Sequence, residues 1–148
     1  MSLERDPRWV SLASVLLEHS TSVRPGDRLL IIMRETHCFP LAREVHRRAI
    51  ELGAFPQTLF GSVLFDRDRL VLGTPEQVEW VPELFKEAMQ WADVCVDLRG
   101  ATNLYELSGV ATQRVSRYRR AEGTISAIRT EGTRWVLVRV PNETLAQQ

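Results

Sequence analysis

The sequence predicts an α/β domain, a three-layer sandwich in which a mostly parallel sheet of Rossmann-like or flavodoxin-like kind lies between helices. Three observations carry that expectation. The run Leu29-Leu30-Ile31-Ile32-Met33 is wholly apolar, and Val94-Cys95-Val96-Asp97-Leu98 is nearly so, which suits strands covered on both faces. The stretches between such runs return to a three- and four-residue apolar spacing. Strands that alternate with helices then require right-handed crossovers onto a parallel sheet.

Taken in order, Trp9, Val10, Ala13, Leu16 and Leu17 form the apolar stripe of a helix from Pro7 to about Ser20, with Asp6 as N-cap. The turn Arg24-Pro25-Gly26-Asp27 leads into the first strand. From Pro40 to Leu52 the helical period returns through Leu41, Ala42, Val45, Ala49 and Ile50, and Gly53 stands at the C-cap. Phe55 to Phe60 is a short second strand that tolerates Pro56 only at an edge. Leu64 to Leu72 reads as a short helix. Thr74-Pro75-Glu76-Gln77 opens a long one, which Pro82 must bend or split. After the third strand, Val94 to Leu98, comes the turn Arg99 to Asn103. Leu104 to Ile128 is helical, interrupted at Gly109 and weakened at Gly123. Trp135 to Val140 is the fourth strand.

At 148 residues the chain has the length of one domain, and residues 1–148 are read as one. Nineteen basic side chains balance nineteen acidic ones, so no net field draws nucleic acid or an anionic membrane. The cluster Arg114, Arg117, Arg119 and Arg120 reads as a helix face paired with nearby carboxylates. Cys38 and Cys95 read as buried free thiols. No run of about 18 apolar residues occurs, and the start is polar where a signal peptide needs an apolar core, so a cytoplasmic location is expected.

Known site chemistries find little support. Arg34-Glu35-Thr36-His37-Cys38 follows the first strand, with no glycine-rich phosphate loop, and Glu35 would oppose an anion at a helix N-terminus there. His19, His37 and His46 lack the four-residue spacing of a helical zinc site. Cys38 beside His37 is a sequence neighbour pair, which rarely aligns as a dyad, and no nucleophile elbow occurs. Asp66 and Asp68 diverge on either a strand or a helix, so they make no acid–base pair. What remains is the crevice beyond the carboxyl ends of the strands, where Arg34, Glu35, Thr36, Arg99, Thr102 and Asn103 gather.

Four stretches, in order, resemble the amino-terminal half of the thermophilic metalloprotease family, the aminopeptidases T and S. Leu12-Ala13 through Val23-Arg24-Pro25-Gly26-Asp27-Arg28-Leu29-Leu30-Ile31 resembles its opening pattern. Pro40-Leu41-Ala42 with Ala49 to Ala54 is similar to its "P-L…A-x-x-x-G-A" helix. Ala92-Asp93-Val94 with Asn103 to Val110 is similar to a segment in which an aspartate precedes a strand and an asparagine follows it. Trp135 to Gln147 resembles its "W-x-L-x-x-x-P-T-x-x-x-A-Q", with Asn142 where the family has threonine.

The resemblance implies a parent enzyme that releases N-terminal residues from peptides, leucine among them, as a homodimer with two divalent metals, cobalt or zinc. In that family the metal ligands belong to a second domain. This chain is therefore expected to hold no metal and no catalytic residue of its own, and to wall the substrate cavity with Arg34, Glu35, Thr36, Arg99 and Asn103. Two alternatives share the fold: a stand-alone binding or assembly module, and the amino-terminal domain of a dihydroxypyridine ring-cleaving dioxygenase.

Overall fold

In the computed structural model, which describes residues 5–100 and 106–141, Asp6 caps the first helix by accepting from the Arg8 backbone N–H at 2.9 Å. Helix α1 (Pro7–Ser14) runs without a break into a wider π-helical segment, Val15–Ser20. The Thr21 hydroxyl closes that segment by donating to the Leu16 carbonyl at 2.8 Å. The expected helix is thus present in extent, with its second half widened. A turn with Pro25 at its second position and Gly26 at φ +87° then feeds β1 (Arg28–Arg34).

Helix α2 begins at Phe39 and ends at Glu51, after a single 3-10 turn, Thr36–Cys38. Gly53 terminates it as expected. At φ +80° its N–H reaches the Ile50 carbonyl while the Ala54 N–H reaches that of Ala49, a Schellman closure. The same backbone accepts from Gly26 N–H at 2.9 Å, tying the two turns together below the sheet.

Strand β2 (Phe55–Gly61) lies at the sheet edge, which is why Pro56 is tolerated. Helix α3 (Val63–Leu72) follows directly. Thr74 and Gln77 form a reciprocal capping box at the start of α4 (Pro75–Glu79). Pro82 splits rather than bends the long helix expected here, because it lacks an N–H and starts α5 (Glu83–Trp91) as a fresh N-cap.

Strand β3 (Val94–Arg99) is followed, past Gly109 at φ +82°, by α6 (Thr112–Gly132) and β4 (Arg134–Arg139). Of the helical stretch expected from Leu104, the described residues before Thr112 are turn and bend, and the helix runs past Ile128. Gly123 does not weaken it visibly: the buried stripe Tyr118, Ala121, Ile125 and Arg129 holds the helix to the sheet, and Gly123 faces open space. Thr102 and Asn103, with the Asn103–Tyr105 and Asn142–Gln147 parts of the sequence patterns, lie outside the described residues.

All four strands are parallel, in the order β2-β1-β3-β4, with Leu29 opposite Val94 and Val94 opposite Arg134. That is the flavodoxin-like order. Helices α1 and α2 pack on one face over Leu29, Ile31, Val94, Val96 and Leu98. Helices α5 and α6 cover the other, over Leu30, Ile32 and Cys95.

Candidate functional site

The chain leaves β1 toward one edge of the sheet through β2 and returns to the other side of β1 as β3. The crevice where helices diverge therefore opens beyond the carboxyl ends of β1 and β3. Alternation along a strand decides what lines it. Met33 and Leu98 turn into the α1/α2 core, whereas Arg34, Asp97 and Arg99 turn toward the α5/α6 side.

Asp97 is 0% exposed and organises this end of the sheet. Its Oδ1 accepts from Arg34 Nε at 3.1 Å; its Oδ2 accepts from Arg99 Nε at 3.1 Å and from Arg129 Nη1 at 3.3 Å. A lone buried carboxylate would be costly, and three guanidiniums stabilise it. Burial opposes the charge on Arg34, but the Asp97 carboxylate more than offsets that and raises its pKa. Arg129 lies beneath, stacked 4.4 Å from the Trp135 ring centroid, and its buried Nε has no hydrogen-bond partner.

Of the residues expected at the cavity, Arg34 and Arg99 are thus brought together, with side chains 31% and 43% exposed. Glu35 is not with them. Held at φ +83°, it sends its carboxylate to the start of α3, where it accepts from Val63 N–H at 2.6 Å and Ser62 Oγ–H at 3.0 Å. It acts as a built-in anion at that helix N-terminus. Thr36 is exposed at the start of the 3-10 turn, and Asn103 is outside the described residues.

Sequence reasoning did not single out Asp97 or Arg129. The signal for Asp97 was available: a carboxylate inside an otherwise apolar strand must be buried and paired. Nothing marked Arg129, whose role depends on how α6 lies across the sheet. A neighbouring polar cluster was also missed. Between α3 and α6, Asp66 lies beside Tyr118, and Arg69 lies 3.8 Å from Glu122. Burial raises the carboxyls of Asp66 and Glu122, and Asp66 pushes Glu122 further.

The imidazole of His37 packs against Gly100 so closely that a Cβ there would stand 2.0 Å from Nε2. Cys38 makes no dyad with it: the thiol donates to the Arg34 carbonyl at 3.0 Å, and burial pushes its pKa up to about 12. Cys95, also buried, is raised to about 12 by the same cause. Of the basic cluster on α6, Arg114 turns inward and donates to the Leu70 carbonyl, while Arg117 pairs with Glu79 at the surface. A groove of about 450 Å³ lies elsewhere, lined by the second half of α3 and by α4, including Asp68, Arg69 and Trp80. Among the described residues no group of three or more His, Cys, Asp or Glu side chains is arranged to hold a metal ion.

The family model described as thermophilic metalloprotease (M29) matches residues 6–148. No curated protein sequence matches. Among solved structures, wild-type AmpT from Thermus thermophilus superposes with a TM-score of 0.75 at 18% identity, over 92% of this chain and 36% of that one. The chain therefore spans about a third of the length of that structure. The CurK enoyl reductase gives a TM-score of 0.41 at 13% identity, over 100% of this chain and 47% of that one, too low to carry an argument.

Proposed function

The chain belongs to the thermophilic metalloprotease family, and from that premise we propose that it is the amino-terminal α/β domain of a metal-dependent aminopeptidase. In this reading the domain contributes no metal ligand. It supplies a scaffold and one wall of the cavity in which a peptide's N-terminal residue is released, leucine among those accepted. The family match over nearly the whole chain carries the proposal. The parent enzyme is read as a cytoplasmic homodimer; among the described residues no helix is long and apolar enough to cross a membrane.

A pair of divalent metals, cobalt or zinc in this reading, would activate water and polarise the scissile carbonyl. The described residues do not fit such a centre. Asp97 is engaged by three guanidiniums and Glu35 by two donors at the start of α3. Metal ligation needs free carboxylates or imidazoles that converge, so no step of hydrolysis is assigned to them. What these residues can do is bind and orient.

The test is an assay of the 148-residue chain on an aminoacyl reporter such as leucine p-nitroanilide, with cobalt or zinc added and then removed by chelator. No chelator-sensitive turnover is expected from this chain, while the same chain joined to the rest of its reading frame hydrolyses the reporter. Chelator-sensitive turnover by the 148 residues alone would overturn the assignment.

A further inference from the structure

Arg34, Arg99 and Arg139 stand in one register row across three adjacent parallel strands, Arg34 opposite Arg99 and Arg99 opposite Arg139. Register partners share a face, and neighbouring strands are about 4.8 Å apart. All three guanidiniums therefore project from the carboxyl end of the sheet on the α6 side, spanning the switch point between β1 and β3.

Among the described residues their bonding leaves donor capacity unused. Arg34 and Arg99 each engage Asp97 through Nε, so their outer Nη groups make no hydrogen bond among the described residues. Arg139 is exposed, and among the described residues no hydrogen bond or ion pair engages it. Asp97 is one carboxylate set against these three arginines and a fourth, Arg129, below. Of the other nearby acids, Glu35 is held at the start of α3, and Asp66 and Glu122 lie on the α3 side, nearest Arg34. Among the described residues the positive charge is thus least compensated from Arg99 toward Arg139, in a chain whose net charge is zero.

We propose that the row Arg34, Arg99 and Arg139 is an oxyanion site that takes the C-terminal carboxylate of a short peptide. Planar guanidinium forks match a carboxylate in two-point contact, and a buried aspartate that fixes two Nε atoms holds those forks in place before ligand arrives. The location is where open α/β sheets receive ligands. The choice of a peptide carboxylate rests on the aminopeptidase reading; the oxyanion chemistry does not. It makes short peptides with a free C-terminus the favoured class, since their two ends must reach the site and the scissile bond together.

The test is calorimetric titration of the 148-residue chain with an N-acetylated tripeptide, its C-terminal amide, and inorganic phosphate. The free acid is expected to bind at least about tenfold tighter than the amide, equivalent to about 1.4 kcal/mol, and more weakly as salt rises. Arg139→Gln, which disturbs no contact among the described residues, is expected to weaken the acid several-fold at unchanged thermal stability. Arg99→Lys, which keeps the charge but loses the fork, is expected to do the same, and Arg119→Gln on the exposed face of α6 to change nothing. Equal binding of acid and amide, no binding of the acid at about 10 mM, or a preference that survives in both Arg139→Gln and Arg99→Lys would overturn the site. Phosphate binding without discrimination between acid and amide would overturn the peptide assignment. Hydrolysis is not read here, so metal-dependent turnover by this chain would remove the domain reading and leave the acid-over-amide preference standing.

Discussion

The two faces of the sheet are built from the same strands and differ in what happens at their carboxyl ends. On the α1/α2 face the apolar layer runs the full length of β1 and β3, from Leu29 and Val94 to Met33 and Leu98. On the α5/α6 face it stops at Ile32 on β1 and Cys95 on β3, and the strand ends beyond them carry Arg34, Asp97 and Arg99. One face is optimised for burial. The other gives up its last apolar layer for a buried charge with three partners, an arrangement that is weak evidence for stability. Such a layer is best explained by what it positions.

Breaking that layer should produce the largest effect. Asp97→Ala leaves the buried Arg129 guanidinium without its counter-ion and should destabilise by about 3–5 kcal/mol, while releasing Arg34 and Arg99 and abolishing any preference for carboxylate ligands. Leu98→Ala, its neighbour on the opposite face and fully buried, should cost about 3 kcal/mol by cavity formation and leave that preference intact. Chemical denaturation with parallel ligand titration separates the two outcomes. An Asp97→Ala protein that keeps both stability and preference would erase the distinction between the faces.

Smaller effects sharpen the same contrast away from the charged strand ends. Gly53→Ala must hold an L-residue at φ +80° with its Cβ 3.2 Å from Pro25 Cβ, and should cost about 1–2 kcal/mol without touching ligand binding. Thr74→Ala removes half of the capping box and should cost about 1 kcal/mol.

The pH dependence is the subtlest test. Asp66 and Glu122 have raised folded pKa values because burial disfavours their charged forms. The folded state binds those protons more tightly, so their contribution to stability falls as pH rises from the ordinary carboxylate range through the raised values. Asp93 is lowered by its hydrogen bonds to Arg28, so its contribution is present above the ordinary range and lost as pH falls. Asp66→Asn with Glu122→Gln should flatten the falling limb of stability against pH, and Asp93→Asn the rising one, both read from denaturation midpoints over a pH series.

Most of the frame was legible in the sequence, because it rests on local chemistry. Unbroken apolar runs, period-3.6 patterns, the Thr74–Gln77 box and Gly53 act within a few residues of themselves, and the structure places each as expected. Pro82 split its helix for the same local reason. The start of α6 was misjudged because Gly109 ends a turn there rather than interrupting a helix. The site was only half legible. Arg34 and Arg99 follow from strand ends, but the partnership that unites them needs the register of β1 against β3. Glu35 illustrates the limit: nothing in the sequence says that its backbone takes a left-handed φ and sends the carboxylate to α3.

The central claim is that this domain meets its ligand at the charged end of the α5/α6 face. Residue-resolved amide shifts during titration with a free-acid peptide test it most directly. Perturbations concentrated at Arg34, Arg99, Gly100 and Arg139 are the predicted result. Perturbations confined to the groove of Asp68, Arg69 and Trp80, with the strand ends silent, would contradict it.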